Sequence, residues 1–318
     1  MTAGPQAVTA APLVVFVTGA SSGIGRASAV RFAEQGARLV LLSRSPEALA
    51  AVEGDCRRAG AAATLVTVAD VGVQEQVEVA MACAVATFGR VDICVHAAAV
   101  AAYGRLEDIP AEVFDRVIDT NVKGAANVAR AAISHFRERE QGTLILVGSV
   151  LGRIAAPFIS PYGVSKWAIR GLARTVKLEN QDLPDVHVCE VWPGGVNTPV
   201  YQQSANYAGR VGRPPPPVVP PERVAAAIDR VARHPRPRVG VGWANPIMVF
   251  GFAFLPGLYD TLVVPLMKLL GIGRERLEPH PGNVLAPQAG AEATRGPWRG
   301  LLGLRRSARS KTGRRWAP

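Results

Sequence analysis

From about residue 12 to about residue 243 the chain alternates short stretches that are apolar at nearly every position with longer stretches of helical periodicity. The short stretches, Leu13 to Val17, Arg38 to Leu42, Ala63 to Val68, Val91 to Val95, Thr143 to Val147, Val186 to Val191 and Arg238 to Val241, predict strands. The longer ones, Gly23 to Gln35, Pro46 to Ala59, Val73 to Phe88, Ala111 to Arg137, Tyr162 to Leu183 and Pro221 to Arg233, predict helices. Runs such as LVVFV and LILV leave no polar position for a wet face, so both sheet faces must be covered. The alternation predicts an α/β fold: a Rossmann-type, doubly wound, parallel seven-stranded sheet with helices on both faces.

The pattern changes after Pro193. Residues 194–221 are rich in Gly, Pro, Gln and Asn, and Pro214 to Pro217 can extend neither a helix nor a ladder, which predicts a mobile flap over a site. Residues 239–259 hold no charge, but VGVG belongs to the last strand and Pro246, Gly251, Pro256 and Gly257 interrupt the rest, against a membrane-spanning helix. Residues 244–272 then form an apolar helical extension that must be buried in a subunit interface, over a substrate mouth or at a bilayer surface. Residues 1–11 read as a flexible start and 273–318 as a basic tail; from about residue 283 that tail has no period and predicts disorder.

Composition narrows the classes. The chain has 318 residues, 48% of them apolar, which is enough for a large core and excludes general disorder. Its formal charge of +11 invites a nucleic-acid or membrane reading, but +7 of it falls in residues 273–318, leaving the body mildly basic. That tail lacks interleaved aromatics apart from Trp298 and Trp316, which speaks against nucleic acid. Residues 245–271 with the Arg-rich tail make a candidate peripheral membrane contact instead. Cys56, Cys83, Cys94 and Cys189 form no CxxC pair and lie near no His at ligand spacing, so buried free thiols and no metal are expected. The N-terminus carries no charge before its apolar run and no cleavage site, so a cytoplasmic protein is expected.

The chemistry starts at TGASSGIG, residues 18–25, between the first strand and the first helix. Gly19, Gly23 and Gly25 permit a tight turn and close approach of a pyrophosphate, and Ser21, Ser22 and Ile24 complete the turn before a helix N-terminus. The second strand ends in Ser43 and Arg44, where a carboxylate would bind the ribose hydroxyls of NAD; Arg44 suits a 2′-phosphate, so NADP(H) is expected over NAD(H). Tyr162 and Lys166 stand four apart on one helix face, where a cation could favour the phenolate. Ser149 closes a strand thirteen residues before Tyr162, at the end of the sheet where such folds bind ligands.

With these residues in place the chain resembles the short-chain dehydrogenase/reductase family over about residues 12–243. The likeness rests on TGASSGIG, Asp70 after the third strand, Asn121 in TNVKG, Ser149 in GSV, YGVSK at 162–166 and PGGVNTP at 193–199. The resemblance implies that Tyr162 is the general acid of carbonyl reduction and the base of the reverse reaction. It implies that Ser149 polarises the substrate carbonyl and that Lys166 holds the nicotinamide ribose and lowers the Tyr162 pKa. Asn121 would position a water linking Lys166 to solvent. Thr198, with Pro193, Gly194 and Val196, would orient the nicotinamide carboxamide, Asp70 and Val71 would meet the adenine, and Ala97 would line the cofactor. One motif departs: His96-Ala97-Ala98-Ala99 replaces Asn-Asn-Ala-Gly, and a hydrogen-bonding His96 is expected to act in the architecture of the sheet.

The expected function is therefore an NADP-dependent oxidoreductase interconverting a lipophilic ketone or aldehyde and an alcohol, the alternative being a non-catalytic NADP-binding regulator or scaffold. The resemblance implies a homodimer or homotetramer, since members of the family are commonly dimers or tetramers built on long helices, here Ala111 to Arg137 and Tyr162 to Leu183. Tyr103, Phe158, Trp192, Tyr201 and Tyr207 fall near the expected site edge, while Trp167 reads as helix packing.

Overall fold

The computed structural model of the chain describes residues 11–288, 290, 292–300, 302, 304 and 305. Seven strands form one parallel sheet: β1 (Val14–Thr18), β2 (Arg38–Ser43), β3 (Ala63–Val68), β4 (Ile93–His96), β5 (Gly142–Val147), β6 (Val186–Pro193) and β7 (Arg238–Val241). Their spatial order is β7-β6-β5-β4-β1-β2-β3, every pair parallel. The order reverses between β1 and β4, which opens a crevice at the carboxyl ends of these strands. Successive residues of each strand point to opposite faces. Val15, Val17, Leu39 and Leu41 therefore meet α1 (Gly23–Ala33), α2 (Pro46–Ala59) and α7 (Pro221–Arg233) on one side. Val14, Phe16, Val40 and Leu42 meet α3 (Gln74–Phe88), α5 (Gly124–Arg139) and α6 (Ser160–Glu179) on the other. All five residues of β1 and all six of β5 are buried, as their unbroken apolar runs require.

Local signals set most boundaries. α2 begins because the Ser45 hydroxyl accepts a hydrogen bond from the Ala48 N–H and Pro46 fills the first turn; it ends at Gly60, whose φ of 105° suits glycine. The helix expected at Ala111 to Arg137 is divided: α4 (Ala111–Ile118), a single wide turn at Asp119–Lys123, and α5. That wide turn rotates Asn121 into the interior, the use to which such turns are often put near functional sites.

The apolar extension forms α8 (Asn245–Phe254) and α9 (Pro256–Leu266), shorter than a span, and among the described residues no helix is long and apolar enough to cross a membrane. Pro256 divides them, since it holds Leu255 at φ −130°, outside the helical region. The flap at 194–221 is paired once within itself and twice to the rest of the chain. Gly195–Val196 pairs with Val218–Val219, Ala205–Asn206 with Ala102–Tyr103, and Arg210–Gly212 with Ile272–Arg276. The tail also departs from its expected lack of structure. Beyond Ile272–Arg276, Val284 is wholly buried against Val100 and Val113, and Trp298 lies edge-on to Tyr201. Residues 1–10 and 306–318, both expected to lack structure, lie outside the described residues.

Candidate active site

One cavity of about 590 Å³ runs along the crevice, and every residue expected at the site lines it except Gly25 and Asn121. Gly25 works one layer beneath: a Cβ there would stand 2.1 Å from the Gly19 carbonyl oxygen, so only glycine lets the turn close on α1. Gly19 has φ +66°, and a Cβ on it would stand 2.6 Å from the Ala98 nitrogen, so it holds the turn against the segment after β4. Ser21 to Ile24 then face the cavity at the α1 N-terminus, where backbone N–H groups favour a phosphate.

At the far end, α6 brings Tyr162 and Lys166 to the cavity, and Ser149 joins them from the end of β5. The Tyr162 hydroxyl is hydrogen-bonded to Ser149, whose oxygen also accepts from the Leu151 N–H at 3.1 Å. Lys166 Nζ donates to the Val147 carbonyl at 2.9 Å and lies 5.3 Å from the centre of the Tyr162 ring. Burial pushes the Tyr162 phenol up to about 12, only partly offset by Ser149, and pulls Lys166 down to about 8, partly offset by Glu190. The Lys166 ammonium is anchored on a carbonyl beside the ring, and desolvation sets the direction of the phenol's shift.

Asn121 is committed to the framework. Its amide oxygen accepts from the Val100 N–H at 2.8 Å, and its nitrogen donates to the Val100 carbonyl and to Ser165 Oγ at 2.9 Å each. It ties the segment after β4 to α6 and so fixes both walls of the cavity.

The remaining wall is apolar and comes from α8 and α9 through Met248, Leu255, Tyr259 and Val263, with Ile154 and Ile159 opposite. Of the aromatic residues expected here, Tyr103 and Tyr201 line the cavity; Phe158 instead lies against Arg105 and Lys268, and Trp192 under Arg153. Trp167 meets Phe252 at 6.1 Å, docking α8 on α6. One pair escaped the sequence reading. Arg153 and Glu190 form a buried bidentate salt bridge at 2.8 and 2.7 Å behind Lys166, with the guanidinium 4.1 Å from the Trp192 ring. Its signal was a lone carboxylate inside the apolar run VCEVW. Cys56, Cys94 and Cys189 are buried as expected, but Cys83 is exposed on α3.

The sequence profile of the short chain dehydrogenase family matches residues 13–208, more than half of the chain. The chain belongs to that family. An uncharacterized oxidoreductase of Bacillus subtilis, YxnA, is 35% identical over 258 residues, covering 80% of this chain and 72% of its own. The NADPH-dependent pterin aldehyde reductase of Arabidopsis thaliana is 37% identical over 58% of this chain and 75% of its own. The tetrahydroxynaphthalene reductase of Pyricularia oryzae is 35% identical over 62% of this chain and 69% of its own. Among solved structures, the alcohol dehydrogenase of Thermococcus sibiricus complexed with 5-hydroxy-NADP superposes with a TM-score of 0.62 at 27% identity, over 72% of this chain and 94% of that one.

The dinucleotide that short-chain dehydrogenases use, NAD or NADP, fits the residues present. The turn at 19–24 could hold its phosphates, Asp70 and Val71 its adenine end, and Lys166 with Pro193 to Thr198 its nicotinamide end, where it supplies or accepts hydride. The C-terminal segment shares this groove. The Gly23 N–H donates to the Ala293 carbonyl at 2.9 Å, and Arg44 donates to the carbonyls of Val284 at 3.1 Å and Asn283 at 2.5 Å. Asn197 holds Trp298 through both of its backbone groups. Residue types do not mark this path, because most of its contacts fall on backbone carbonyls.

His96 occupies the departed motif in this short-chain dehydrogenase. Its Nδ1 meets Thr18 Oγ1 at 2.9 Å, joining β4 to β1, while Nε2 is buried without a partner among the described residues. Burial, with Lys166 adding to it, pulls the imidazole down to about 3. The unfolded chain takes up this proton as the pH falls through 6.5, and the folded chain does not until about 3. Stability therefore falls with pH across that window, by at most about 1.4 kcal/mol per unit from this group. Urea titrations of wild type and His96→Asn at pH 7 and pH 5 should show the larger loss in the wild type; equal losses would remove His96 as the cause.

Proposed function

We propose that the chain is an NADP(H)-dependent oxidoreductase that interconverts a lipophilic ketone or aldehyde and the corresponding alcohol, with Tyr162 as the general acid and base. The observation that carries this reading is the Tyr162 hydroxyl hydrogen-bonded to Ser149 at one end of a groove whose other end is the glycine turn at 19–24. In reduction, Ser149 and Tyr162 donate hydrogen bonds to the carbonyl oxygen, hydride reaches its carbon, and the Tyr162 proton passes to the oxygen. The reverse direction returns the proton to Tyr162. Lys166 and Asn121 hold the site's geometry, with Asn121 linking its two walls and Lys166 available to a proton path. The apolar wall of α8 and α9 supports a lipophilic substrate. The outer faces of α5 and of α6, the latter with Val164 and Leu178 exposed, are the surface through which we infer a homodimer or homotetramer.

NADP preference rests on Arg44, which stands at the tip of β2 where no carboxylate is present. In the structure its guanidinium binds backbone carbonyls of the C-terminal segment, so a 2′-phosphate would have to exchange with them. A charge-assisted hydrogen bond is worth about 1.5–3 kcal/mol, so Arg44→Ala should raise the KM for NADPH by roughly tenfold or more and leave that for NADH nearly unchanged. Steady-state kinetics with both cofactors check this; equal changes for the two would assign Arg44 to the C-terminal segment alone. A non-catalytic nucleotide-binding protein, the alternative, would bind NADPH and turn over no carbonyl in the same experiment.

A further inference from the structure

The helices that wall the cavity are apolar on their outer side as well. From Trp243 to Leu269 the chain carries only two charges, Asp260 and Lys268. Ile247, Leu255, Leu258, Leu262 and Leu266 line the cavity and are still 46–64% exposed, so they form the rim of its mouth. Beside them Trp243, Phe250, Phe254 and Leu269 take no part in the cavity and are 56–71% exposed, with Phe250 stacked on Phe254 at 5.0 Å. Mouth and outer surface are one continuous apolar face, larger than solitary exposed residues account for.

We propose that this face docks on an anionic lipid bilayer, with α8 and α9 lying in the plane of the interface and the cavity mouth opening into the acyl region. Helices of 10 and 11 residues are too short to cross a bilayer, but their exposed aromatic and aliphatic side chains suit insertion to the headgroup boundary. Trp243, exposed at the start of α8, carries the amphipathic ring favoured at that depth. Charge selects the occupant. The chain has a net charge of +11, and from Arg295 onward the sequence holds eight Arg and Lys residues and no Asp or Glu, of which Arg295 pairs with Glu222. A second copy seated on this face would seal the mouth; an anionic surface attracts the basic chain and leaves the mouth open to molecules dissolved in the lipid. The docking stands independently of the chemistry, whereas the consequence that substrate arrives from the bilayer rests on the oxidoreductase reading.

The test is flotation of the purified full chain with vesicles of phosphatidylcholine containing phosphatidylglycerol, and with phosphatidylcholine alone, in the absence of cofactor and substrate. The chain should float with the anionic vesicles, less with the neutral ones and less again in high salt. The double variant Phe250→Glu/Phe254→Glu should lower binding by about tenfold or more, since it replaces two inserted aromatics by carboxylates facing anionic lipid. Neither residue touches the cavity, so turnover of a small water-soluble carbonyl should be unchanged; failure of that turnover in the wild type would strike the oxidoreductase reading and leave the docking result intact. Should the double variant not fold, Trp243→Ser tests the same face, and a blue shift of wild-type tryptophan fluorescence on anionic vesicles, absent in that variant, supports it. Absence of flotation at both compositions overturns the proposal. So does a wild-type dimer that fails to float and that either variant converts to monomer, which assigns the face to a second copy.

Discussion

Replacing Tyr162 by Phe should lower kcat/KM for carbonyl reduction by about 10²–10⁴-fold while NADPH binding stays close to that of the wild type. The substitution removes one oxygen and keeps the ring, so the packing of α6 and the ring that Lys166 lies beside at 5.3 Å are preserved. What disappears is the proton donor. Its neighbour Ser149 can still polarise a carbonyl, but a hydroxyl that no cation activates is a poor acid for a developing alkoxide. Lys166, pulled down to about 8 by burial, is partly neutral in mildly alkaline solution, and its Nζ is held on the Val147 carbonyl, turned from the site of transfer. Tyr103 and Tyr201 also line the cavity, but burial pushes both phenols up and neither is the one hydrogen-bonded to Ser149, so rescue from within is not expected. Stopped-flow reduction together with a separate NADPH titration checks both halves; loss of binding with loss of turnover would mean that the ring, not the hydroxyl, was being tested.

The largest expected effect on stability comes from the pair behind the site. Arg153→Ala leaves the Glu190 carboxylate, 1% exposed, without its bidentate partner, and removes the cation stacked on Trp192. Breaking one side of such a pair costs about 3–5 kcal/mol, on the order of 5–10 °C in Tm for a chain of this size. There is little room to relax, because a Cβ on Gly148 would already stand 2.5 Å from Glu190 Oε1. Arg153→Met/Glu190→Gln removes both charges and should recover most of the loss. Thermal unfolding of the two variants separates the cases: equal destabilisation would show that side-chain volume, not the unpaired charge, sets the cost.

The sheet was legible because its physics is local and repetitive. Strands buried on both faces must be apolar throughout, and VVFVT and TLILV can be read as nothing else in a chain punctuated by helical periods. The capping of α2 by Ser45, Pro46 and Gly60 was equally plain. The groove was legible in a different way: the glycine turn and the Tyr162–Lys166 spacing are fixed by ligand geometry, so they survive as short motifs. What stayed hidden depends on distant partners. The helix from Ala111 divides at Asp119 because Asn121 must reach Val100 and Ser165, and periodicity along one segment carries no record of that demand. The C-terminal segment crosses the groove on backbone carbonyls of Val284 and Ala293, which any residue supplies. The four-residue spacing places Lys166 near the Tyr162 ring, whereas the desolvation that pushes the phenol up is a property of the assembled walls.

The central claim is that this groove couples a nicotinamide dinucleotide to a carbonyl in an apolar cavity. The most direct measurement is NADPH and NADH consumption by the purified chain against apolar ketones and aldehydes of graded size, with the product identified as the alcohol. The account predicts alcohol formed in step with nucleotide oxidised, faster with NADPH, and preference for apolar over polar substrates of equal size. Tight NADPH binding with no carbonyl reduced and no alcohol oxidised would contradict it.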